Sequence, residues 1–144
     1  MRTLLLATAA AAVLATTAQA APPRAAFDGS EIRRSASFGH FRRSEVLRLA
    51  ADGSFTGIYH TTRPTARGGI VRIDGAMRGR WSLRGDAICF QGSGLEYGSQ
   101  SCYRLTKAKF AKEQWSGTNT KTGDVWQFFI YPQSGHGAPR RAAR

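Results

Sequence analysis

The chain has 144 residues, a length that excludes more than one ordinary domain. Lys and Arg number 21 against 9 Asp and Glu, a formal net charge of +12. That imbalance favours association with polyanions: nucleic acid, acidic polysaccharide, lipid phosphate or an acidic protein. Of the basic residues 17 are arginine, and Asn119 is the single asparagine, a usage typical of a GC-rich bacterial genome.

The first twenty residues, "MRTLLLATAAAAVLATTAQA", have the three parts of a secretory signal. Arg2 is the charged start, Leu4 to Leu14 the apolar run, and Ala18-Gln19-Ala20 the small-x-small cleavage site. The run is shorter than the roughly 20 apolar residues a transmembrane helix needs. No cysteine follows it to carry a lipid anchor. The expectation is a signal peptide over 1–20 and a periplasmic or secreted chain with no transmembrane segment after cleavage.

Residues 21–29 read as a flexible lead, and residues 30–131 as a single β domain. "SEIRRSASFG" predicts one short N-terminal helix, with Ser30 as N-cap, Glu31 in the first turn and Gly39 at its end. From Ser44 the apolar pattern turns to period two, the strand signature. "SEVLRLAADGSFTGIYH" reads as a hairpin. A three-residue turn with Gly53 in the left-handed position puts Leu47, Leu49, Phe55 and Tyr59 on one face, whereas a two-residue turn would not.

Arg63 to Gly69 is a loop. Further strands are expected at Ile70–Asp74, Met77–Arg84, Ala87–Gln91 and Ser101–Thr106. Lys109 to Trp115 fits strand or helix. Val125 to Tyr131 is apolar on both faces, as a central strand would be. Residues 132–144 read as a basic disordered tail. The fold class is therefore all-β: an antiparallel meander forming a small barrel or sandwich, with one short helix and one disulfide.

The middle of the chain permits a register argument. If Gly85-Asp86 is a two-residue turn, Leu83 faces Ile88 and Trp81 faces Phe90. If Cys89 and Cys102 lie opposite across the next hairpin, Ile88 faces Tyr103. Side-chain alternation then places Trp81, Leu83, Ile88, Phe90, Tyr103 and Leu105 on the core face. Arg80, Ser82, Arg84, Cys89, Cys102 and Arg104 take the other. Two separate assumptions give one amphipathic sheet, and agreement across levels supports both. An exported chain with two cysteines is expected to join them in a disulfide.

"GRWSLRGDAICF", "SCYRL" and "TGDVWQF" together resemble small exported alphaproteobacterial proteins of uncharacterised function. Their pattern is Gly-x-Trp, a Gly-Asp turn, Cys-Phe, a second Cys and a late Gly-x-x-Trp. The resemblance implies a compact β fold with one disulfide and supplies no activity. Gly79-Arg80-Trp81 also resembles the lipocalin Gly-x-Trp, an analogy of architecture that carries over no ligand-binding residue.

Signatures of common hydrolases are absent: Gly-x-Ser-x-Gly, His-Glu-x-x-His and Ser-x-x-Lys do not occur. His40, His60 and His136 have no metal-ligand spacing, and no catalytic residue, metal or cofactor is expected. Arg84-Gly85-Asp86 reads as a tight turn rather than an integrin-type motif. Arg42 and Arg43 of "FGHFRR" read as a solvated edge. Tyr97, in the loop "SGLEYGSQ", either contacts a partner or folds back.

The remaining candidate is the basic face of Arg78, Arg80, Arg84 and Arg104. Side chains two apart on a strand lie about 6.5–7 Å from each other, compatible with successive phosphates or sulfates. Anionic polysaccharide, lipopolysaccharide or an acidic protein are the expected partners. Nucleic acid is disfavoured, because no aromatics interleave on this face for base stacking. A lipocalin-like periplasmic inhibitor or small-ligand carrier is the alternative.

Overall fold

The computed structural model describes residues 24–108 and 112–132. The expected signal at 1–20 and the tail beyond Pro132 lie outside the described residues, as do Lys109 to Ala111. Eight antiparallel strands follow one another: β1 (Glu31–Phe38), β2 (Phe41–Leu49), β3 (Ser54–Pro64), β4 (Ile70–Arg84), β5 (Ala87–Ser93), β6 (Gln100–Lys107), β7 (Gln114–Asn119) and β8 (Val125–Tyr131). Each pairs with the next, and β8 pairs with β1, which closes the sheet into a barrel. Closure leaves the barrel wall without the unpaired edges of an open sheet.

The expected N-terminal helix is not formed. Residues 31–38 are β1, and Gly39-His40 is the two-residue turn joining Phe38 to its partner Phe41. Burial along this segment alternates, with Ile32, Arg34 and Ala36 inward. An arginine at an inward position breaks the apolar alternation by which a strand is recognised, so the period of two is hidden in the sequence. Gly39 has φ +54°, the left-handed value suited to the first position of such a turn. Gly85, at φ +60°, does the same between β4 and β5, so Arg84-Gly85-Asp86 is a turn. The only helical element among the described residues is a 3₁₀ turn, Arg24–Ala26.

The two later hairpins follow the expected register. Trp81 pairs with Phe90 and Leu83 with Ile88. Ile88 pairs with Tyr103 and Cys89 with Cys102. The β2–β3 turn is the three-residue form: Ala50 N–H donates to Ser54 O (2.9 Å), Gly53 N–H to Ala50 O (3.0 Å), and Gly53 has φ +84°. Leu47, Leu49 and Phe55 are consequently buried together, with Tyr59 packed against them.

A cluster of buried aromatic and aliphatic side chains packs across the barrel interior. Tyr103 stands at its centre, with ring centroids of Phe128 at 5.4 Å, Trp126 at 5.9 Å and Phe90 at 6.4 Å. Gly75 and Gly117 make room for this packing, since a Cβ on either would overlap the ring of Tyr59 or Phe128 respectively. Phe27 plugs one end, fully buried, although it falls within the stretch read as a lead. Its carbonyl accepts a hydrogen bond from the Ser30 hydroxyl (2.7 Å) and its ring lies 6.2 Å from Trp81. At the other end the β5–β6 loop folds inward, burying Leu95 and placing Tyr97 at 6.2 Å from Phe38. Apart from Arg34, Arg43 and Glu45, the buried side chains are mainly apolar and the charges face outward, unlike the outward apolar band of a membrane-spanning barrel. No helix among the described residues is long and apolar enough to cross a membrane.

The Cys89–Cys102 disulfide joins β5 to β6 across a sequence separation of 13. Loop closure of about that length is worth about 3 kcal/mol in the unfolded chain. A Cys89→Ser/Cys102→Ser double variant should lose about that much in urea denaturation, and adding reductant should lower the parent towards the variant without moving the variant itself.

Candidate anion-binding face

Arg78, Arg80 and Arg84 on β4 and Arg104 on β6 all point outward and are exposed. Alternation along β4 puts them opposite in direction to Met77, Trp81 and Leu83. The register sets their spacing. Arg84 is paired with Ala87, which is paired in turn with Arg104, so the two arginines stand two strands, about 10 Å, apart. Arg78 to Arg84 spans six residues of strand, about 20 Å. The four therefore make a spread face rather than a single cluster.

Their partners differ. Arg104 Nε lies 3.1 Å from Asp86 Oδ2, an exposed pair that offsets part of its charge. Arg80 donates to the backbone carbonyl of Asp52 (3.0 Å), which orients it without neutralising it. Arg78 and Arg84 form no ion pair with the described residues.

Between these strands lies a groove of about 290 Å³, lined chiefly by Arg24, Arg80, Arg84, Gln91, Gln100 and Asp52. Three guanidinium groups and two amides make it rich in donors. Its one carboxylate is engaged elsewhere: Asp52 Oδ1 accepts from the Ser54 N–H (2.8 Å) and hydroxyl (2.7 Å). Those two bonds, with Arg80 nearby, hold Asp52 below the usual carboxylate range. Arg24 was invisible as a site residue because it precedes the first strand. It reaches the groove because its 3₁₀ turn lays the guanidinium over the Trp81 ring, 4.8 Å from the centroid.

The basic surface also extends further than the sequence indicated. Arg48, Thr56 and Arg78 form one outward row across β2, β3 and β4, and Arg42, Thr62 and Arg72 form another. Strand parity from Leu47 and Leu49 would have placed Arg48 outside. The Arg42-Arg43 pair is split, since Arg42 is exposed whereas Arg43 is buried.

Arg43 belongs to an interior network. Glu45, fully buried, accepts Nε–H bonds from Arg34 (2.5 Å) and Arg43 (2.6 Å) on its two oxygens. Arg43 also pairs with Glu96 (2.9 Å), donates to the Gly94 carbonyl, and lies 3.9 Å above the Tyr59 ring. The Arg34 guanidinium is enclosed by the rings of Tyr103 (4.6 Å), Phe90 (4.7 Å), Trp126 (5.0 Å) and Phe128 (5.5 Å). Burial works against its charge, but Glu45 outweighs that, and its pKa lies above the ordinary guanidinium value. The network pairs two arginines with two glutamates, and Arg34 and Glu45 within it are fully enclosed.

His60 is the remaining chemical candidate. Its Nδ1 lies 2.7 Å from Asp74 Oδ1, and Asp74 also accepts from Arg72 Nε (2.7 Å). These contacts, Arg72 first, hold Asp74 below the usual carboxylate range. Ser44 is the register partner of His60 on the other side, yet no hydrogen bond joins them among the described residues. Among the described residues, His60 thus meets one carboxylate and the Arg72 guanidinium (2.9 Å) on an open wall. Among the described residues no cluster of His, Cys, Asp and Glu is placed to hold a metal ion.

Tyr97 folds back instead of facing solvent. Its hydroxyl donates to Asp124 Oδ2 (2.6 Å), and burial together with that carboxylate pushes the phenol pKa well above its usual value. Asp124, bonded by Tyr97 and then Thr122, is held low. A folded-state pKa below the unfolded one, about 4, stabilises the loop at neutral pH. That contribution is lost as pH falls through the folded value. Acidification should therefore release the Tyr97 loop, seen as a change in near-UV circular dichroism, and Asp124→Asn should flatten that pH dependence. Arg34→Ala should cost about 3–5 kcal/mol in denaturation, because it leaves the Glu45 carboxylate one partner short in the interior.

The architecture is an up-and-down eight-strand antiparallel barrel, consistent with a lipocalin-like form. No protein-family model matches the sequence, and a search of curated proteins finds no match.

Proposed function

We propose that this protein is an exported, non-enzymatic β-barrel module that docks an anionic component of the cell envelope through its outer arginine face. The observation that carries this reading is the groove beside β4, where Arg24, Arg80 and Arg84 converge and the only carboxylate is occupied by Ser54. Arg78 and Arg104 extend the same charge along and across the wall. An extended polyanion, with phosphates, sulfates or uronates at regular intervals, matches this spread better than one small ion. Phosphate groups of lipopolysaccharide and acidic polysaccharide chains have that chemistry.

Export to the periplasm or beyond is supported by the signal pattern in the first twenty residues and by the disulfide. The resemblance to small exported alphaproteobacterial proteins points the same way. Nucleic acid is disfavoured, since Trp81, Phe90 and Tyr103 face inward and offer no stacking surface. The aromatic cluster around Tyr103 occupies the space where a small-ligand carrier would need its cavity, which favours the outer face over the interior.

Retention on immobilised heparin and on lipopolysaccharide, at low and physiological salt, tests the reading. The parent should be retained and should elute with rising salt, as screened phosphate-type contacts require. The Arg80→Ala/Arg84→Ala/Arg104→Ala variant should elute at distinctly lower salt with an unchanged circular dichroism spectrum. Equal retention of parent and variant would overturn the assignment.

A further inference from the structure

Strand β4 is longer than its neighbour allows. It has 15 residues, and β3 pairs with the first eleven of them, from Ile70 to Arg80. On the opposite side β5 pairs only with Arg78–Arg84. Beyond Ser93 the chain turns away, and Gly94 backs onto Ala76 and Met77. Among the described residues, nothing pairs with the outer side of Ile70–Gly75. A closed barrel therefore carries one open strand edge, on a hairpin that overhangs its mouth.

The edge is not a loose one. Tyr59 lies directly over Gly75, and Arg43 lies 3.9 Å over Tyr59, so the base of the hairpin is fastened to the buried network. It exposes two isoleucines, where a soluble edge is usually guarded. Ile70 is 80% exposed and Ile73 40% exposed. The charges it does carry, Arg72 and Asp74, lie on the same outward face two residues apart, 59% and 53% exposed.

We propose that this edge pairs with the same edge of a second copy of this chain, antiparallel about a two-fold axis at Ile73. In that register Ile73 meets Ile73 of the other copy, and Val71 meets Gly75. Arg72 of each copy meets Asp74 of the other, giving an alternating four-charge array on the outer face. Paired residues in an antiparallel sheet point to the same side, so both barrels keep their outward faces on one side. Shifting the axis to residue 72 sets Arg72 against Arg72, and shifting it to residue 74 sets Asp74 against Asp74. A parallel, in-register arrangement aligns like charges throughout. Only the axis at Ile73 makes the charges complementary, and a two-fold contact closes on itself instead of propagating into a fibre. The pairing is independent of the anion-binding reading, which rests on Arg24, Arg78, Arg80, Arg84 and Arg104.

Sedimentation equilibrium over a concentration series tests this. The parent should rise from monomer towards dimer mass. Arg72→Asp and Asp74→Arg should each remain monomeric, because each leaves four like charges around the axis. The Arg72→Asp/Asp74→Arg double variant should dimerise again, and an equimolar mixture of the two monomeric single variants should form a heterodimer. Ile73→Lys, which sets two ammonium groups on the axis, should also be monomeric. Near-UV circular dichroism matching the parent establishes folding of each variant. A parent that stays monomeric at every concentration, or single variants that dimerise like the parent, would overturn the proposal.

Discussion

The pairing of Arg34 with Glu45 is the constraint around which the barrel is arranged. The two are direct cross-strand partners, both fully buried, and the Arg34 charge is offset in the interior by Glu45, whose second oxygen is taken by Arg43. Four aromatic rings from β5, β6 and β8 close on the guanidinium. These strands are distant from β1 in sequence, so the contact links the two halves of the meander across the interior. An apolar residue of similar volume would fill the same space, but it would not distinguish one register from another. A carboxylate that must meet a guanidinium fixes β1 against β2, since a slip of one residue turns Glu45 to solvent and strands Arg34.

The same network reaches the mouth of the barrel. Glu45 shares its second oxygen with Arg43, and Arg43 holds Glu96 and the carbonyl of Gly94. The β5–β6 loop is thereby tied to β2 from inside, while Tyr97 ties it to the β7–β8 turn through Asp124. One end is sealed by charge-assisted bonds and the other by packing of Phe27 and Trp81. A barrel closed by both means is a rigid frame for its outer wall, where the arginine rows stand at separations set by strand spacing.

The legible parts of the sequence are those where apolar period and turn chemistry agree. In the middle meander, Gly85-Asp86 and the two cysteines constrain the register from opposite sides, and every expected pairing there is formed. Parity alone placed Arg78, Arg80, Arg84 and Arg104 outside. The N-terminal strands were obscured because Arg34, Arg43 and Glu45 occupy inward positions, so the sequence looks polar where the chain is buried. Arg34 and Glu45 are separated by a hairpin whose turn, Gly39-His40, resembled a helix stop. Arg24 was lost for a different reason: its role depends on a 3₁₀ turn docking on Trp81, a tertiary event with no local periodicity.

Arginine serves this molecule in two media. Inside, Arg34 and Arg43 act at short range in a shell that ions do not enter, and their attraction to Glu45 is largely immune to the composition of the surrounding solution. Outside, Arg78, Arg80 and Arg84 act through water, where an ionic strength of about 0.15 M damps their field within about 8 Å. Folding and the proposed recognition, although built from one residue type, therefore answer to different variables. On the proposed anion-docking reading, an organism moving between dilute and saline surroundings would change how strongly this surface holds a polyanion without changing the barrel that carries it.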